Sequence, residues 1–95
     1  MIRVLKKDDH IEVSGHAAFA EYGKDIVCSA CSSIVTTTVN GILSIDKDSL
    51  DYSINEEGME ITIKKSDEIT SKLIDNMVNL LRELESNYPD NIEVK

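Results

Sequence analysis

The residues best suited to covalent chemistry are Cys28 and His16. A cysteine attacks as its thiolate, so it needs positive potential and a base nearby. Asp25 is a good helix N-cap, because its carboxylate can accept from an otherwise unpaired first-turn amide. Cys28 would then be the third residue of the helix, inside the turn whose free amides carry partial positive charge. His16 falls in the loop that leaves a strand, and a short loop can bring a strand end beside a helix start. Its imidazole could take the thiol proton and later return it to a leaving amine. The bland alternative is an inert packing cysteine and a surface histidine.

The elements that must position the pair are legible from periodicity. Residues 2–6 and 10–14 alternate apolar and polar, with Ile2 and Val4, then Ile11 and Val13, on one face; Lys7-Asp8-Asp9 supplies the turn between them. Residues 15–24 lack a clean period and are bracketed by Gly15 and Gly23, so a mobile loop is expected. From Asp25 to about Leu43 the period becomes helical, with Val27, Ala30, Cys31, Ile34, Val35, Thr38 and Ile42 on one stripe. The β-branched run Thr36-Thr37-Thr38-Val39 forms helix poorly, so packing must hold this half. A second hairpin is expected over residues 49–55 and 59–64, turning at Asn55-Glu56-Glu57-Gly58. Ser66 is expected to cap a second helix whose stripe is Ile69, Leu73, Met77, Leu80, Leu81 and Leu84, ended by Pro89. Ile92 and Val94 make a short last strand. The order ββαββαβ, with one apolar face per strand, implies a small two-layer α+β domain: a mostly antiparallel sheet with two helices. A three-layer α/β/α sandwich is the alternative. Residues 1–95 form one domain, with no linker or low-complexity tract inside it.

With these elements in place, a resemblance can be read. Gly15-His16-Ala17, then Gly23-Lys24-Asp25-Ile26-Val27-Cys28-Ser29-Ala30 and Ser32, resembles the signature of the ribosomal-processing cysteine protease family called Prp. Its members carry Gly-His, an eleven-residue gap to the cysteine, and Asp-Ile-Val-Cys on the helix, as this chain does. The specific motif occupies residues 15–32, while the element order matches along the whole chain. The resemblance implies a cysteine endopeptidase that removes the N-terminal extension of large-subunit ribosomal protein twenty-seven after a phenylalanine-containing apolar motif. It implies Cys28 as nucleophile and His16 as general base, matches Gly15, Asp25 and Ser32 to further family positions, and suggests a homodimer. No cofactor and no metal are expected.

The supporting positions have readings of their own. Ser32 is one turn beyond Cys28 and projects on the same face, so it could touch substrate or bond back to the Cys28 carbonyl. Asp25 could orient His16, bind substrate or only cap; if it holds the Cys28 amide, that amide is less available to an oxyanion. Phe19 and Tyr22 suit the wall or lid of an apolar peptide site, or they tuck into the core. Gly23 is a candidate hinge. His10, at the start of a strand, is given no role.

Eighteen acidic against ten basic residues give a formal charge of −8. That balance disfavours nucleic acid and anionic membrane as partners and suits a basic protein substrate. No basic-then-apolar leader is present, and no apolar run near eighteen residues is expected. Two cysteines three apart cannot staple distant segments, which points to the reducing cytoplasm. Two rivals remain. Cys28-Ser29-Ala30-Cys31 is formally a C-x-x-C redox motif, although Cys31 lies on the apolar stripe, where the family has a small or apolar residue. Its presence raises the prospect that a Cys28–Cys31 bond silences the nucleophile. The other rival is a non-enzymatic ribosome-associated binding module. Metal binding by His16, Cys28 and Cys31 matches no structural zinc spacing.

Overall fold

The structure is a computed structural model and describes residues 1–15 and 25–95. Its elements are β1 (Ile2–Lys7), β2 (His10–Ser14), α1 (Ile26–Ile45), β3 (Leu50–Asn55), β4 (Gly58–Ile63), α2 (Glu68–Asn87) and β5 (Ile92–Val94). The five strands form one sheet in the order β3-β4-β2-β1-β5. Every pairing is antiparallel except β1 with β5, where Ile2, Arg3 and Val4 run alongside Ile92, Glu93 and Val94.

Alternation selects the inner face. Val4 opposes Val13, Ile11 opposes Ile61, and Tyr52 opposes Ile61 from the other side, so one face of the sheet is continuously apolar. Val4, Ile11, Ile61 and Ile92 are fully buried on it. The opposite face carries Arg3, Lys7, Ser14, Asp51, Ser53, Glu60 and Thr62, all exposed. The two helices pack against each other over the apolar face. The fold is therefore two-layered, and a polar second face rules out the three-layer arrangement.

The sequence-based elements are recovered with three corrections. Asp67, and not Ser66, caps α2: its Oδ1 accepts from the Thr70 amide at 2.7 Å. The buried stripe of α2 is Thr70, Ile74, Met77, Val78 and Leu81, while Ile69 and Leu80 are exposed. The helix is therefore rotated relative to the expected stripe. Apolar residues wrap around much of α2, and contact with α1 and the sheet decides which of them are inside. Third, α1 carries no charged residue over its 20 residues, so although serines, threonines and an asparagine interrupt its apolar residues it is long and apolar enough overall to cross a membrane. Its buried stripe, Val27, Cys31, Val35, Val39 and Ile42, faces the core, and Ser29, Ser32, Ser33, Thr37 and Asn40 are exposed. Within the β-branched run, the Thr38 hydroxyl donates to the Ile34 carbonyl at 2.8 Å. That bond satisfies the hydroxyl without removing it from the helix.

Candidate active site

Asp25 begins the site. It is only 7% exposed, and its Oδ1 accepts from the amides of Val27 and Cys28, each at 3.0 Å. Cys28 is thereby the third residue of α1, half-buried, with its own amide engaged by the cap. This geometry bears on catalysis. An amide already donating to a carboxylate cannot also receive a developing oxyanion without displacing it. Of the three roles open to Asp25, the described contacts establish capping.

Cys28 opens onto a cavity of about 350 Å³. Its apolar wall comes from Ile2, Val13, Ile54 and Met59, and the β3–β4 turn closes one end. Asn55 shapes that turn, because its Oδ1 accepts from the Glu57 and Gly58 amides at 2.8 and 3.0 Å. Met59 is steadied by the Tyr52 hydroxyl, which donates to its Sδ at 3.2 Å. Ser32 also borders the cavity and is exposed.

Gly15 reaches the same cavity from the end of β2. Its φ is +87°, and a Cβ there would lie 2.3 Å from the Met1 carbonyl oxygen. Its amide donates to the Glu57 carbonyl at 3.4 Å, tying β2 to the turn. The glycine is thus demanded by backbone geometry. His16, Phe19, Tyr22 and Gly23 lie outside the described residues.

Periodicity alone did not identify Ile54, Met59 or Gly58 as neighbours of Cys28. They meet it only through strand register, in which Val13 faces Met59 and Ser14 faces Gly58. The nearest sequence signal was the turn motif itself.

Cys31, 2% exposed, belongs to the core. Burial, and secondarily the charge of Cys28, pushes its thiol up to about 12 from an ordinary value near 9. Because the folded form holds this proton more tightly than the unfolded one, stability is lost as pH rises from about 9 toward 12. The loss approaches about 1.4 kcal/mol per pH unit. Cys31→Ala should flatten urea-unfolding free energies across that window relative to wild type; an unchanged slope would contradict the assignment.

A separate group, His10, Glu12 and Glu60, is clustered on the outer face of the sheet, where His10 Nε2 pairs with Glu12 at 3.2 Å. It lies across the sheet from the cysteine.

Comparison with known proteins accords with this geometry. The sequence model of the family described as Cysteine protease Prp matches residues 1–93. A Bacillus subtilis protein named ribosomal processing cysteine protease Prp is 32% identical over 90 residues, covering 87% of this chain and 80% of that protein. The Mycoplasma genitalium protein of the same name is 29% identical and covers 99% of this chain and 94% of its own. Among solved structures, an essential ribosomal processing protease Prp from S. aureus, in complex with a covalently linked product peptide, superposes with a TM-score of 0.86 at 23% identity, covering 99% of this chain and 95% of that one. The likeness to that structure establishes a shared fold. The match of the family model along nearly the whole sequence establishes descent, and the chain belongs to the Prp family of cysteine proteases.

Proposed function

We propose that this protein is a ribosome-maturation endopeptidase that removes the N-terminal extension of large-subunit ribosomal protein twenty-seven. The observation that carries the reading is the seat of Cys28 in the first turn of α1, opening on an apolar cavity. In this reading Cys28 Sγ attacks the scissile carbonyl, and His16 takes the thiol proton and returns it to the leaving amine. With the Cys28 amide committed to Asp25, the oxyanion is held by other donors. The phenylalanine side of the cleavage motif packs on Ile54 and Met59. The formal charge of −8 suits a basic ribosomal precursor. Phe19 and Tyr22 supply further apolar contact to the substrate, and Ser32 contacts it beside the nucleophile. The chain works as a homodimer in the cytoplasm, as one catalytic domain.

Redox chemistry is the weaker reading of Cys28 and Cys31. The helix that carries them follows an antiparallel hairpin, not the strand of a parallel βαβ unit.

The test is incubation of the extended precursor with the reduced protein, followed by mass spectrometry of its N-terminus. Cleavage after the phenylalanine-containing motif is expected. Binding without cleavage under reducing conditions would select the non-enzymatic module instead. Ile54, 67% exposed, can be replaced without disturbing the core. Ile54→Asp should raise KM about 10-fold, the equivalent of roughly 1.5 kcal/mol of lost apolar contact. An unchanged KM would remove Ile54 from the substrate site.

A further inference from the structure

Cys28 and Cys31 are the only cysteines in the chain, and both border the same cavity from positions three apart in the first turns of α1. One is half-buried and open to solute, while the other is 2% exposed behind it. We propose that Cys31 is a resolving thiol: it captures peroxide-oxidised Cys28 as an intrahelical disulfide and so protects the nucleophile from irreversible oxidation.

The geometry favours closure at this place in the helix. Side chains three apart on a helix have Cβ atoms about 5–6 Å apart, and a disulfide needs about 3.5–4.5 Å. The missing ångström or so must come from local tightening. Here the amides of Val27 and Cys28 are held by the Asp25 carboxylate and not by carbonyls of a preceding turn. The first turn can therefore tighten toward 3₁₀ geometry while keeping its cap.

The chemistry balances in two steps. The Cys28 thiolate attacks one oxygen of hydrogen peroxide; the O–O bond breaks, hydroxide leaves, and Cys28 becomes a sulfenic acid. The Cys31 sulfur then attacks the Cys28 sulfur. The S–O bond breaks, the departing hydroxide takes the Cys31 proton, and water and the disulfide remain. Two electrons pass in total from the thiol pair to the peroxide. Burial keeps Cys31 protonated and leaves it far less exposed than Cys28 in the resting protein. Without a resolver, a sulfenic acid goes on to sulfinic and sulfonic acids, which ordinary thiols cannot reverse.

The proposal rests on the protease reading only for its activity arm. Reduced wild type, Cys31→Ser and Cys31→Ala are treated with hydrogen peroxide, quenched, and analysed by intact mass and peptide mapping. Each is then treated with dithiothreitol and assayed against its own untreated activity. Wild type should lose the mass of two hydrogens within one chain, map to a Cys28–Cys31 bond, and recover nearly all its activity. Both variants should gain two or three oxygen atoms on Cys28 and recover less than about a tenth. Oxygen adducts on wild-type Cys28 in place of the bond, a Cys28 link between two chains, or full recovery of both variants would each overturn the proposal. Formation of the bond in a chain that cleaves no precursor would uphold it and defeat the protease reading, so the two failures are distinguishable. Two variants of different size guard against a folding defect in either one.

Discussion

Cys28→Ala should abolish precursor cleavage, lowering kcat/KM by about 10⁴-fold or more while leaving the fold intact. A covalent mechanism has no alternative nucleophile to fall back on, so the loss should approach that of removing the whole catalytic unit. The side chain is half-buried at the edge of a cavity, so its truncation leaves no sealed void and the thermal midpoint should move by only a few degrees. His16→Ala should cost about 10²–10⁴-fold, the usual contribution of a general base. The double variant should be no worse than Cys28→Ala alone, because a base has nothing to activate once the thiol is gone. Initial rates on the extended precursor, followed by mass spectrometry, measure all three. Residual cleavage by Cys28→Ala above a tenth of wild type would place the nucleophile elsewhere.

The second large effect is expected at a residue that does no chemistry. Gly58 has a φ of +152°, and a Cβ there would lie 1.9 Å from the Val13 carbonyl oxygen and 2.9 Å from the Ser14 Cα. All of these neighbours are backbone atoms of the adjacent strand, so relief requires β2 and β4 to part where they bound the Cys28 cavity. Gly58→Ala should destabilise the fold by about 3 kcal/mol, combining a glycine-only backbone region with a displaced strand pair. It should also raise KM by misplacing Met59 and the turn. Gly15→Ala, with φ of +87° and the Met1 carbonyl 2.3 Å from its Cβ, should behave alike. Urea unfolding measures the stability change. A Gly58→Ala protein within 0.5 kcal/mol of wild type, a surface-mutation effect, would mean the described β2–β4 approach is wrong.

These two predictions separate the parts of the site that chemistry requires from those that geometry requires. In the proposed reaction Cys28 is demanded by reactivity, and its surroundings could vary so long as a thiolate is favoured. Gly15 and Gly58 are demanded by the close approach of three chain segments. That approach gives the cavity its floor and its closed end. Asp25 belongs to both groups, since its carboxylate ends the helix and, in doing so, occupies an amide next to the reacting sulfur. On the proposed mechanism this arrangement holds Cys28 rigidly and leaves the oxyanion to donors other than its amide.

How much of this was legible in advance follows from the range of each interaction. The strands, both helices, the cap at Asp25 and the place of Cys28 in the first turn are properties of periods of two and of three to four residues, and of a cap three positions before the thiol. They depend on neighbours within one turn or one hairpin, and residue order alone determined them. The likeness to the Prp family, carried by residues 15–32, was local in the same sense. Tertiary structure decided what local pattern leaves degenerate. Ser66 and Asp67 are both competent caps, and in the structure Asp67 takes the position. Apolar residues encircle enough of α2 that several stripes were possible, and contact with α1 and the sheet buried Thr70 and Ile74 in place of Ile69 and Leu80. The cavity beside Cys28 depends on pairing between β2 and β4 across more than forty residues of chain, which brings Val13 to Met59. Such contacts repay the entropy of closing a long loop only when the whole sheet forms, so no short window of sequence contains them.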